Sequence, residues 1–540
     1  MSMLQRARDY QFLYRDFRWS VPEFYNIGVD VCDRHAGRDG HLALIFIDES
    51  GATSRFTFDD VRRLANRFAN VLRADGLKRG DRVAILLPQQ PETAIAHIAA
   101  FKSGLISVPL FTLFGDDALE FRLANCAAKA VLTDSAGLAT LERVMERLPN
   151  LKHVYHTGSG NRGSAVSFNE ALERASDDFI PIGTSAHDPA IIIYTSGTTG
   201  NPKGALHAHR VLLGHLPGVE LSHDFLPCPG DLIWTAADWA WIGGLFDVLL
   251  PAWHHGITVV AHRARKFDPE LAMHLMGTHH VRNVFLPPTA LKLMRRARVH
   301  QADVHLRTIA SGGEPLGAEL LDWARATFGV TVNEFYGQTE CNMVVANDNS
   351  LFPGQPASMG KPVPGHDVKI VDGDGREVPR GDVGTIGVTR ADPAMFLGYW
   401  NDPEATDRKY ASDVLLTGDL ARQDDEGYIR FVGRSDDLIT SAGYRIGPTE
   451  VEDCLLKHPA VAMAAVVGAP DPVRTEIVKA WVVLNGSEAP SEGLLRDIQK
   501  FVRERLAAHE YPREIVFTES LPTTATGKVI RRMLRDRSAV

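Results

Sequence analysis

The sequence predicts an α/β protein: a large N-terminal domain, with parallel or mixed sheets covered by helices, followed by a small hinged α+β domain. Three observations lead to this prediction. The chain has 540 residues, too many for one small hydrophobic core. Its N-terminal part alternates helical and strand periodicity in a βαβ rhythm. The sequence pattern changes near Arg434, where a charged turn and a glycine-containing loop precede a second set of predicted helices and strands.

The elements of the N-terminal part can be predicted in order. Thr57 is a favourable N-cap for a helix that ends before Gly76. One face of this helix is apolar: Val61, Leu64, Ala65, Phe68, Val71 and Leu72. The alternation of strands and helices continues through these predicted segments: strand 83–87, helix 93–102, strand 106–110, helix 118–125, strand 130–133 and strand 190–193. We interpret the weaker pattern at 154–188 as a surface loop and a partner helix.

The C-terminal part has a different order of elements. Pro448 stands at a favourable first position of a helix. The other predicted elements are strand 462–467, strand 479–484, helix 494–506 and strand 514–518. We therefore expect residues 1–433 to form the N-terminal domain, residues 434–437 a hinge and residues 438–540 a mobile C-terminal lid domain.

Composition and charge exclude several classes of function. The formal net charge is -9 and the pI is near 6.2, so most of the surface repels nucleic acid. Residues 1–30 mix charged and aromatic side chains and lack the apolar centre of a signal peptide. The most apolar stretch, 245–260, contains Asp247 and Pro251 and is shorter than the ~20 residues of a membrane span. We expect no membrane span and no nucleic-acid partner.

Cysteines and histidines give no metal or disulfide signal. The five cysteines lie far apart, which fits neither a disulfide framework nor a zinc site with close ligand pairs. The 21 histidines form no HExxH motif and have no cysteine partner at ligand spacing, so we assign them no catalytic role. Reduced thiols and the absence of an export signal favour a cytoplasmic protein.

The strongest chemical signal is the segment YTSGTTGNPKG at 194–204, directly after an apolar strand. Glycines let the backbone approach a polyanion closely, hydroxyl groups donate hydrogen bonds, and lysine adds a positive charge. The predicted phosphate contacts are Thr195, Ser196, Gly197, Thr198, Thr199 and Lys203. The spacing differs from GxxxxGK[ST], so a P-loop fold is not implied. The alternative for a shorter version of this loop is a Ser/Thr/Gly-rich surface turn.

Further motifs follow in a fixed order: SGGEP at 311–315, YGQTE at 336–340, TGD at 417–419, GRSDD at 433–437, GYRIGP at 443–448 and LPTTATGK at 521–528. With the glycine-rich loop, they make the chain resemble the adenylate-forming superfamily of acyl-CoA synthetases, luciferases and peptide-synthetase adenylation domains, from about residue 58 to 532. The overall pattern is most similar to medium-chain acyl-CoA synthetases and acetyl-CoA synthetase-like enzymes. The resemblance implies that a carboxylic acid reacts with ATP to form an acyl-adenylate, whose acyl group then passes to the thiol of coenzyme A.

The resemblance also implies where the nucleotide binds. Adenine would lie against the Tyr336 ring, and Asp419 would accept hydrogen bonds from the ribose hydroxyls. The implied ATP or AMP contacts outside the loop are Gly313, Glu314, Pro315, Glu334, Tyr336, Gln338, Thr339, Asp419 and Arg434. Glu340 is the implied magnesium ligand, since a carboxylate oxygen suits a hard cation. Taken alone, Tyr336 would be a core aromatic residue and Glu340 a solvated side chain.

Lys528 is the implied catalytic residue of the first half-reaction, with Thr339 beside the reacting groups. An ammonium can bridge the carboxylate and the α-phosphate as the two anions meet. Without the resemblance, Lys528 would be a solvated charge before an arginine-rich helix. It is also a candidate target of a lysine acetyltransferase and deacetylase, because acetylation removes the charge.

The second half-reaction requires a different arrangement, because one lysine-bearing lid cannot stay in place for both steps. In this family the small domain turns about a hinge aspartate, here Asp436. The turn withdraws Lys528 and brings in the loop of Gly443, where the absent side chain leaves passage for pantetheine. Arg445 and Arg503 are the further expected coenzyme A contacts.

The implied acyl pocket consists of Trp241, Ile242, Gly243, Gly312 and Gly337. The acetate-specific branch has a tryptophan at the position of Gly337, which closes its pocket. A glycine there predicts open space, so we expect a medium-length straight, branched or aromatic acid in preference to acetate. Gly243 and Gly312 have an alternative explanation as backbone requirements at turns.

Other functions remain as alternatives. One is an acetyl- or propionyl-CoA synthetase, and another is an acyl-AMP ligase that delivers its acyl group to a carrier protein. A third is a nonenzymatic regulator that binds a nucleotide or acyl-adenylate. The loop of Gly443 favours coenzyme A as acceptor, and the joint presence of Lys528, Glu340 and Asp419 favours an enzyme.

Overall fold

The computed structural model describes residues 2–7, 9–195, 202–262, 267–297, 299, 303–355, 357–441, 444–472, 474–486, 488–506, 510–524 and 528–538, with residues 444 and 445 as backbone. Within them the chain forms an α/β N-terminal domain and a small α+β C-terminal domain, as the sequence predicts.

Helices and strands alternate through the first part of the chain. Up to residue 195 the elements are α1 (Tyr10–Asp16), β1 (Leu42–Ile47), β2 (Thr53–Thr57), α2 (Phe58–Ala74), β3 (Arg82–Leu86), α3 (Pro91–Lys102), β4 (Ile106–Pro109), α4 (Asp116–Asn125), β5 (Ala130–Thr133), α5 (Ser135–Val144), β6 (His153–His156), β7 (Val166–Ser167), α6 (Phe168–Arg174) and β8 (Pro189–Thr195). Thr57 caps α2 in a reciprocal capping box with Asp60. Strands β6 and β7 lie in the stretch interpreted as loop, beside the expected partner helix α6.

The middle of the chain carries the elements that surround the cleft described below. They are β9 (Lys203–Ala208), α7 (Val211–Ser222), β10 (Leu232–Thr235), α8 (Ile242–Gly244), α9 (Leu250–His254), β11 (Thr258–His262), α10 (Pro269–Thr278), β12 (Asn283–Phe285), α11 (Pro288–Arg296), β13 (Thr308–Gly312), α12 (Ala318–Phe328), β14 (Val332–Gln338) and β15 (Cys341–Ala346). A π-helical turn at Leu245–Leu249 connects α8 to α9.

The remaining elements complete the N-terminal domain and form the C-terminal one. They are β16 (Lys361–Pro362), β17 (Val368–Val371), β18 (Gly384–Thr389), β19 (Gly398–Tyr399), α13 (Pro403–Asp407), β20 (Tyr410–Ala411), β21 (Val414–Gln423), β22 (Ile429–Arg434), β23 (Ile439–Ser441), β24 (Tyr444–Ile446), α14 (Pro448–Leu456), β25 (Val461–Asp471), β26 (Thr475–Leu484), α15 (Glu492–Arg505), β27 (Glu514–Phe517) and α16 (Arg531–Asp536).

Three sheets build the N-terminal domain. One has nine strands in the order β16-β15-β14-β13-β12-β10-β11-β1-β2, and one has eight in the order β19-β9-β8-β4-β3-β5-β6-β7. The third has five, with β17-β18-β21-β20 in order and β22 paired to β21. Helices α2 and α3 pack between the two large sheets, where Phe58, Phe68 and Phe101 are fully buried. Burial of such aromatic side chains provides much of the apolar stabilisation.

The C-terminal domain has its own sheet and core. Its strands run β24-β23-β26-β25, with β27 parallel to β26, and its core includes Val451, Val466, Val482 and Ile498 from both helices and strands. Proline opens α14, as the sequence predicts. Among the described helices, none is long and apolar enough to cross a membrane.

The topology determines where a site can form. Strands β10, β12, β13 and β14 are neighbours and run parallel. The carboxyl ends of parallel strands lie at one edge of a sheet, and ligands bind in the crevice outside that edge. The segments that follow these strands contain Trp241, Pro288, Gly313 and Thr339. Four residues that are distant in sequence therefore meet at one edge.

Candidate active site

A narrow cleft lies at this edge, between the nine-stranded sheet and the C-terminal domain. It is lined by Trp241, Pro287, Pro288, Thr289, Gly312, Gly313, Glu314 and Lys528, and its volume is about 10 Å³. Space of this size holds about one water molecule. Lys528 thus reaches from the C-terminal domain across to the turn that follows β13, where its Cε lies 3.8 Å from the position that a Cβ would take at Gly313.

Lys528 is held through its backbone, and its charged end lies in the field of several acidic groups. Its N–H donates to Thr524 Oγ1 at 3.1 Å, and its carbonyl accepts from the Thr524 N–H at 2.7 Å. Surrounding protein atoms lower the pKa of the ammonium by desolvation, while the carboxylates of Glu314, Asp419 and Glu340 act in the opposite direction. The side chain keeps solvent access.

The predicted nucleotide residues converge on one carboxylate. Tyr336 Oη donates to Asp419 Oδ2 at 2.7 Å, and Gln338 Nε2 donates to the same oxygen at 2.6 Å. Gln338 also donates to the carbonyl of Thr417 at 3.0 Å. Burial and the neighbouring Asp419 raise the pKa of the Tyr336 hydroxyl, so it stays a donor. The ring of Tyr336 and the carboxylate of Asp419 are therefore fixed relative to each other.

Arg434 connects this carboxylate to the predicted hinge. It stands opposite Asp419 in the pairing of β21 with β22, and its guanidinium lies 3.6 Å from Asp419 Oδ1. Its Nε donates to Asp436 Oδ1 at 3.0 Å. Burial would lower the pKa of Arg434, but the two aspartates outweigh that effect and raise it. One guanidinium thus joins a nucleotide residue to residue 436.

Helix α16 holds the same hinge from the other side. Arg535 donates to the carbonyl of Asp436 at 2.5 Å and to Asp437 Oδ1 at 2.8 Å. Arg531 forms an ion pair with Glu452 at 2.6 Å and approaches Asp437 at 3.5 Å. These arginines follow Lys528 closely in sequence, so they couple the position of the lysine to the backbone of residues 436 and 437.

Glu334 is buried at the base of the nucleotide side. It is 6% exposed, and burial raises the pKa of its carboxyl to about 8. An N–H from Leu316 opposes the shift, and the carboxylate of Asp453 in α14 adds to it. The Glu334 carbonyl already accepts from the Asn347 N–H at 2.8 Å. A neutral carboxyl therefore lies near the interface between the domains.

Glu340 has a partner that the sequence analysis did not predict. The hydroxyl of Tyr399 donates to Glu340 Oε1, and the Lys203 ammonium lies 5.2 Å from the centre of the Tyr399 ring. The Tyr399 ring therefore lies between the implied metal ligand and the lysine of the glycine-rich loop. Its sequence signal is only a Gly-Tyr pair 58 residues after Cys341, which no local pattern connects to Glu340.

Part of the predicted phosphate loop can be placed. Thr195 ends β8 and Lys203 begins β9, and the two residues pair across an antiparallel hairpin. Thr195 Oγ1 donates to the Lys203 carbonyl at 3.3 Å. Ser196, Gly197, Thr198 and Thr199 lie outside the described residues. The two ends of the loop are thus set side by side on the eight-stranded sheet.

The acyl-pocket residues lie together, but the open space expected at the glycines is absent. A Cβ at Gly312 would lie 2.5 Å from the Phe335 ring, and one at Gly243 would lie 2.8 Å from the Trp241 ring. A Cβ at Gly337 would lie 2.1 Å from Asn342 Oδ1. The prediction that Gly337 leaves a tunnel is therefore wrong, because Asn342 occupies that space. Ile242 is buried beside them.

Of the expected coenzyme A residues, Arg503 is the one whose side chain the structure describes, and it does not line this cleft. Arg503 lies on the exposed face of α15, with its guanidinium 5.9 Å from the Tyr511 ring. Gly443 and the side chain of Arg445 lie outside the described residues. Of the other predicted residues, Thr339 stands in the turn between β14 and β15, and Pro315 follows Glu314 in the cleft turn.

Two families of known proteins match the chain in succession. Residues 32–400 match the AMP-binding enzyme family, and residues 450–528 match the AMP-binding enzyme C-terminal domain. The second match ends at Lys528, the residue that reaches the cleft.

Relatives match over nearly the whole chain. The acetyl-coenzyme A synthetase of Bacillus subtilis is 35% identical over 98% of this chain and 95% of its own length. The mitochondrial acyl-coenzyme A synthetase ACSM3 of Mus musculus is 33% identical over 99% of this chain and 94% of its own. The crystal structure of the anthranilate CoA ligase AuaEII with anthranoyl-AMP has a TM-score of 0.87 and 29% identity, covering 96% of this chain and 98% of that one. The chain therefore belongs to the AMP-binding enzyme family, among the acyl-CoA synthetases and ligases.

Proposed function

We propose that this chain, as an AMP-forming acyl-CoA synthetase, activates a compact carboxylic acid in the cleft that holds Lys528. The observation that carries the proposal is the position of the lysine. It lies beside Trp241 and Gly313 and faces the carboxylates of Asp419 and Glu340, between the acyl residues and the nucleotide residues. A cation in that position can act on the acid and on ATP together.

The first step joins the two substrates. A carboxylate oxygen attacks the α-phosphorus of ATP, a bond forms between them, and the bond from that phosphorus to the bridging oxygen breaks to release pyrophosphate. Two anions must approach each other, so the barrier is largely electrostatic. The Lys528 ammonium can donate hydrogen bonds to both and stabilise the charge that develops, while the surrounding walls limit water.

The nucleotide side holds ATP for this attack. Asp419 accepts hydrogen bonds from Tyr336 and Gln338, which fixes its carboxylate where ribose hydroxyls can donate to it. Arg434 lies at the same place and can donate to the sugar. Because these groups are already paired and oriented, little ordering is needed when the nucleotide binds.

Glu340 can hold magnesium with the triphosphate. Mg²⁺ is commonly bound through one or two protein carboxylates and completes its shell with phosphate oxygens and water. Glu340 fits that pattern, since its Oε1 is oriented by the Tyr399 hydroxyl and Lys203 lies nearby. The ion would neutralise phosphate charge when bound. Tyr399 keeps the carboxylate in place.

The second step needs coenzyme A at the place where Lys528 lies in this structure. The thiolate sulfur of coenzyme A forms a bond to the acyl carbon, and the bond from that carbon to the phosphate oxygen of AMP breaks. The small domain would turn about residues 434–437 to admit the thiol, with 1–433 and 438–540 as the two bodies. Asp436→Pro tests this, because proline fixes φ near -65° and restricts the residue before it.

The expected result for Asp436→Pro is a split between the two half-reactions. Adenylate formation, followed as acid-dependent exchange of pyrophosphate into ATP, should stay within about threefold of wild type. Overall AMP release with coenzyme A should fall at least ~100-fold. Full overall turnover would place the hinge elsewhere, with Arg434 or Asp437 next to be tested.

The acid is inferred from the covered glycines. Phe335, Trp241 and Asn342 fill the space beside Gly312, Gly243 and Gly337 respectively. This favours a flat aromatic or short branched acid over a long straight one. Anthranilate is the acid of a structural neighbour, which supports the aromatic class. Acetate is the second candidate, because Asn342 covers the position where the acetate-specific branch has its tryptophan.

A panel of acids tests the proposal directly. AMP release with coenzyme A would be measured for acetate, butyrate, hexanoate, benzoate and 2-aminobenzoate. We expect benzoate or 2-aminobenzoate to exceed hexanoate in kcat/KM by at least about tenfold, since hexanoate needs space that is filled. Replacement of coenzyme A by a carrier protein tests the other acceptor. Equal or faster turnover with the carrier protein would overturn the assignment to coenzyme A.

Acetylation of Lys528 would be a means of control at this site. The lysine side chain keeps solvent access, so a modifying enzyme can reach it. Acetylation removes the charge and should abolish adenylate formation as an alanine does. Protein acetylated at Lys528 that still forms adenylate at the full rate would contradict this proposal.

A further inference from the structure

A buried polar cluster lies behind Gly337. Asn342 of β15 donates from Nδ2 to both carboxylate oxygens of Asp247, at 2.8 and 2.9 Å. His215 of α7 places Nδ1 2.9 Å from Asp247 Oδ1. His215, Asp247 and Asn342 are 0%, 2% and 4% exposed. A carboxylate this deeply buried is stable only when such partners satisfy it.

The cluster fixes the orientation of the Asn342 amide. Asn342 Nδ2 donates to both carboxylate oxygens of Asp247, so Oδ1 faces away from Asp247. Oδ1 points toward Gly337, 2.1 Å from the position that a Cβ would take there. Among the described residues, none donates a hydrogen bond to this oxygen. Asn342 thus presents an unused acceptor on the side of Gly337.

The backbone explains why Asn342 can come so close. The ladder between β14 and β15 is irregular at Gly337: Tyr336 pairs with Val345, but Gln338 pairs with Cys341. A glycine at such an irregularity lets a neighbouring side chain pack against the strand itself. Asn342, next to Cys341, fills that gap.

We propose that Asn342 ends the acyl pocket and that its amide oxygen selects a compact carboxylic acid whose far end carries a hydroxyl or amino hydrogen-bond donor. This inference rests on the proposed function, since it concerns the acid activated in the same cleft. Asp247 and His215 act as positioning residues, because they hold the amide with its oxygen toward the acid. An alkyl or bare aromatic end would leave that oxygen unpaired, and sites that leave a buried polar group unpaired reject such analogues.

Matched pairs of acids test the inference. AMP release with coenzyme A would be compared for butyrate and 4-hydroxybutyrate, hexanoate and 6-hydroxyhexanoate, and benzoate and its 2-, 3- and 4-amino derivatives. For wild type we expect the donor-bearing member of at least one pair to have the higher kcat/KM by about tenfold or more. Preference for the unsubstituted member of every pair would overturn the inference.

Two variants separate the steric role of Asn342, which closes the pocket, from the hydrogen-bonding role of its Oδ1. Asn342→Ala removes both, so the preference for a donor should vanish and longer unsubstituted acids should gain about fourfold in kcat/KM per newly buried methylene. Asp247→Asn leaves the Asn342 side chain at the end of the pocket, but it allows the Asn342 amide group to flip. The preference for acids with a donor should therefore fall, while the limit on the length of the acid should stay. Asn66→Ala removes a buried amide in α2, away from the cleft, and serves as the matched control.

The possible outcomes distinguish a failure of this inference from a failure of the proposed acyl-CoA synthetase activity on which it rests. Unchanged acid preferences in both variants, with AMP release intact, would overturn the role of Asn342 and leave the synthetase activity standing. Absence of AMP release from wild type with every acid would overturn the proposed function itself. Thermal melts accompany each variant. If Asn342→Ala fails to fold, the acid pairs with Asp247→Asn decide.

Discussion

The nucleotide end and the acyl end of the cleft are built in opposite ways. At the nucleotide end, polar side chains from several motifs already converge on Asp419. At the acyl end, side chains cover the glycines: Phe335 at Gly312, Trp241 at Gly243 and Asn342 at Gly337. In the proposed function the nucleotide is common to every acid, and the predicted nucleotide residues are already paired with each other. The shape of the acid would then be set by side chains that reach the proposed pocket from outside the motifs.

The largest effect is expected where the two ends meet. Lys528→Ala should slow adenylate formation by about 100- to 1,000-fold, because one charged donor to the developing transition state is lost. Thioester formation from supplied acyl-AMP should stay within about threefold of wild type, because the proposed turn of the small domain withdraws the lysine for that step. Pyrophosphate exchange and single-turnover transfer to coenzyme A measure the two rates separately.

An exposed lysine on the same domain provides the control for this variant. Lys500 in α15 pairs only with nearby Glu504 at 3.8 Å, so Lys500→Ala should leave both rates unchanged. An equal fall of both half-reactions in Lys528→Ala would show that the lysine does not divide them.

Asp419→Asn tests the prepared nucleotide end. The substitution weakens charge-assisted hydrogen bonds from Tyr336 and Gln338 and removes the charge facing Arg434. We expect kcat/KM for ATP to fall about 10- to 100-fold, by the same factor for every acid. Asp425→Asn, an exposed carboxylate on the turn before β22, is the control. A loss confined to some acids would show that the two ends are not independent.

Gly337→Ala tests the covered acyl end. An added Cβ would overlap Asn342, so the free energy of unfolding should fall by about 1–3 kcal/mol. The control is Gly317→Ala, at the residue before α12, where an added Cβ would meet nothing within 4 Å. Denaturant unfolding measures both. A neutral Gly337→Ala, with a gain for short acids, would restore the open tunnel that the sequence predicts.

The last prediction concerns pH and Glu334. Burial raises the pKa of the folded Glu334 carboxyl to about 8, well above its ordinary value of 4.5. Between these values the folded state holds a proton that the unfolded state has lost, so stability falls as pH rises through this window, by up to about 1.4 kcal/mol per pH unit. Glu334→Gln should flatten this slope in melts from pH 5 to 9. An unchanged slope would mean that Glu334 titrates normally.

The sequence predicted the fold class and many of the elements before residue 194 and after residue 447, where its signals are local. The capping residue Thr57, the proline that opens α14 and the strand at 130–133 lie where periodicity and capping place them. The short strands β6 and β7 were not predicted. Strand β6 pairs with β5 and β7 pairs with β6, and no local pattern reveals this pairing.

Candidate site residues that belong to sequence motifs could be predicted, whereas residues that contact them from other strands could not. Tyr336 and Arg434, which belong to separate motifs, both approach Asp419, and their assignment to the nucleotide stays a prediction. Tyr399 and Asn342 were missed, because each acts through contacts across strands. The error at Gly337 has the same cause: a missing side chain on one strand says nothing about what a neighbouring strand puts there.

The clamp of α16 on residues 436 and 437 has a mechanical consequence. Arg535 grips the Asp436 carbonyl and the Asp437 carboxylate, and only three residues lead from Lys528 to the first arginine of the helix, a reach of about 10 Å. Lys528 is therefore tied through a short segment to residues 436 and 437. If the proposed turn of the small domain occurs at these residues, a change in their backbone angles displaces the ammonium directly.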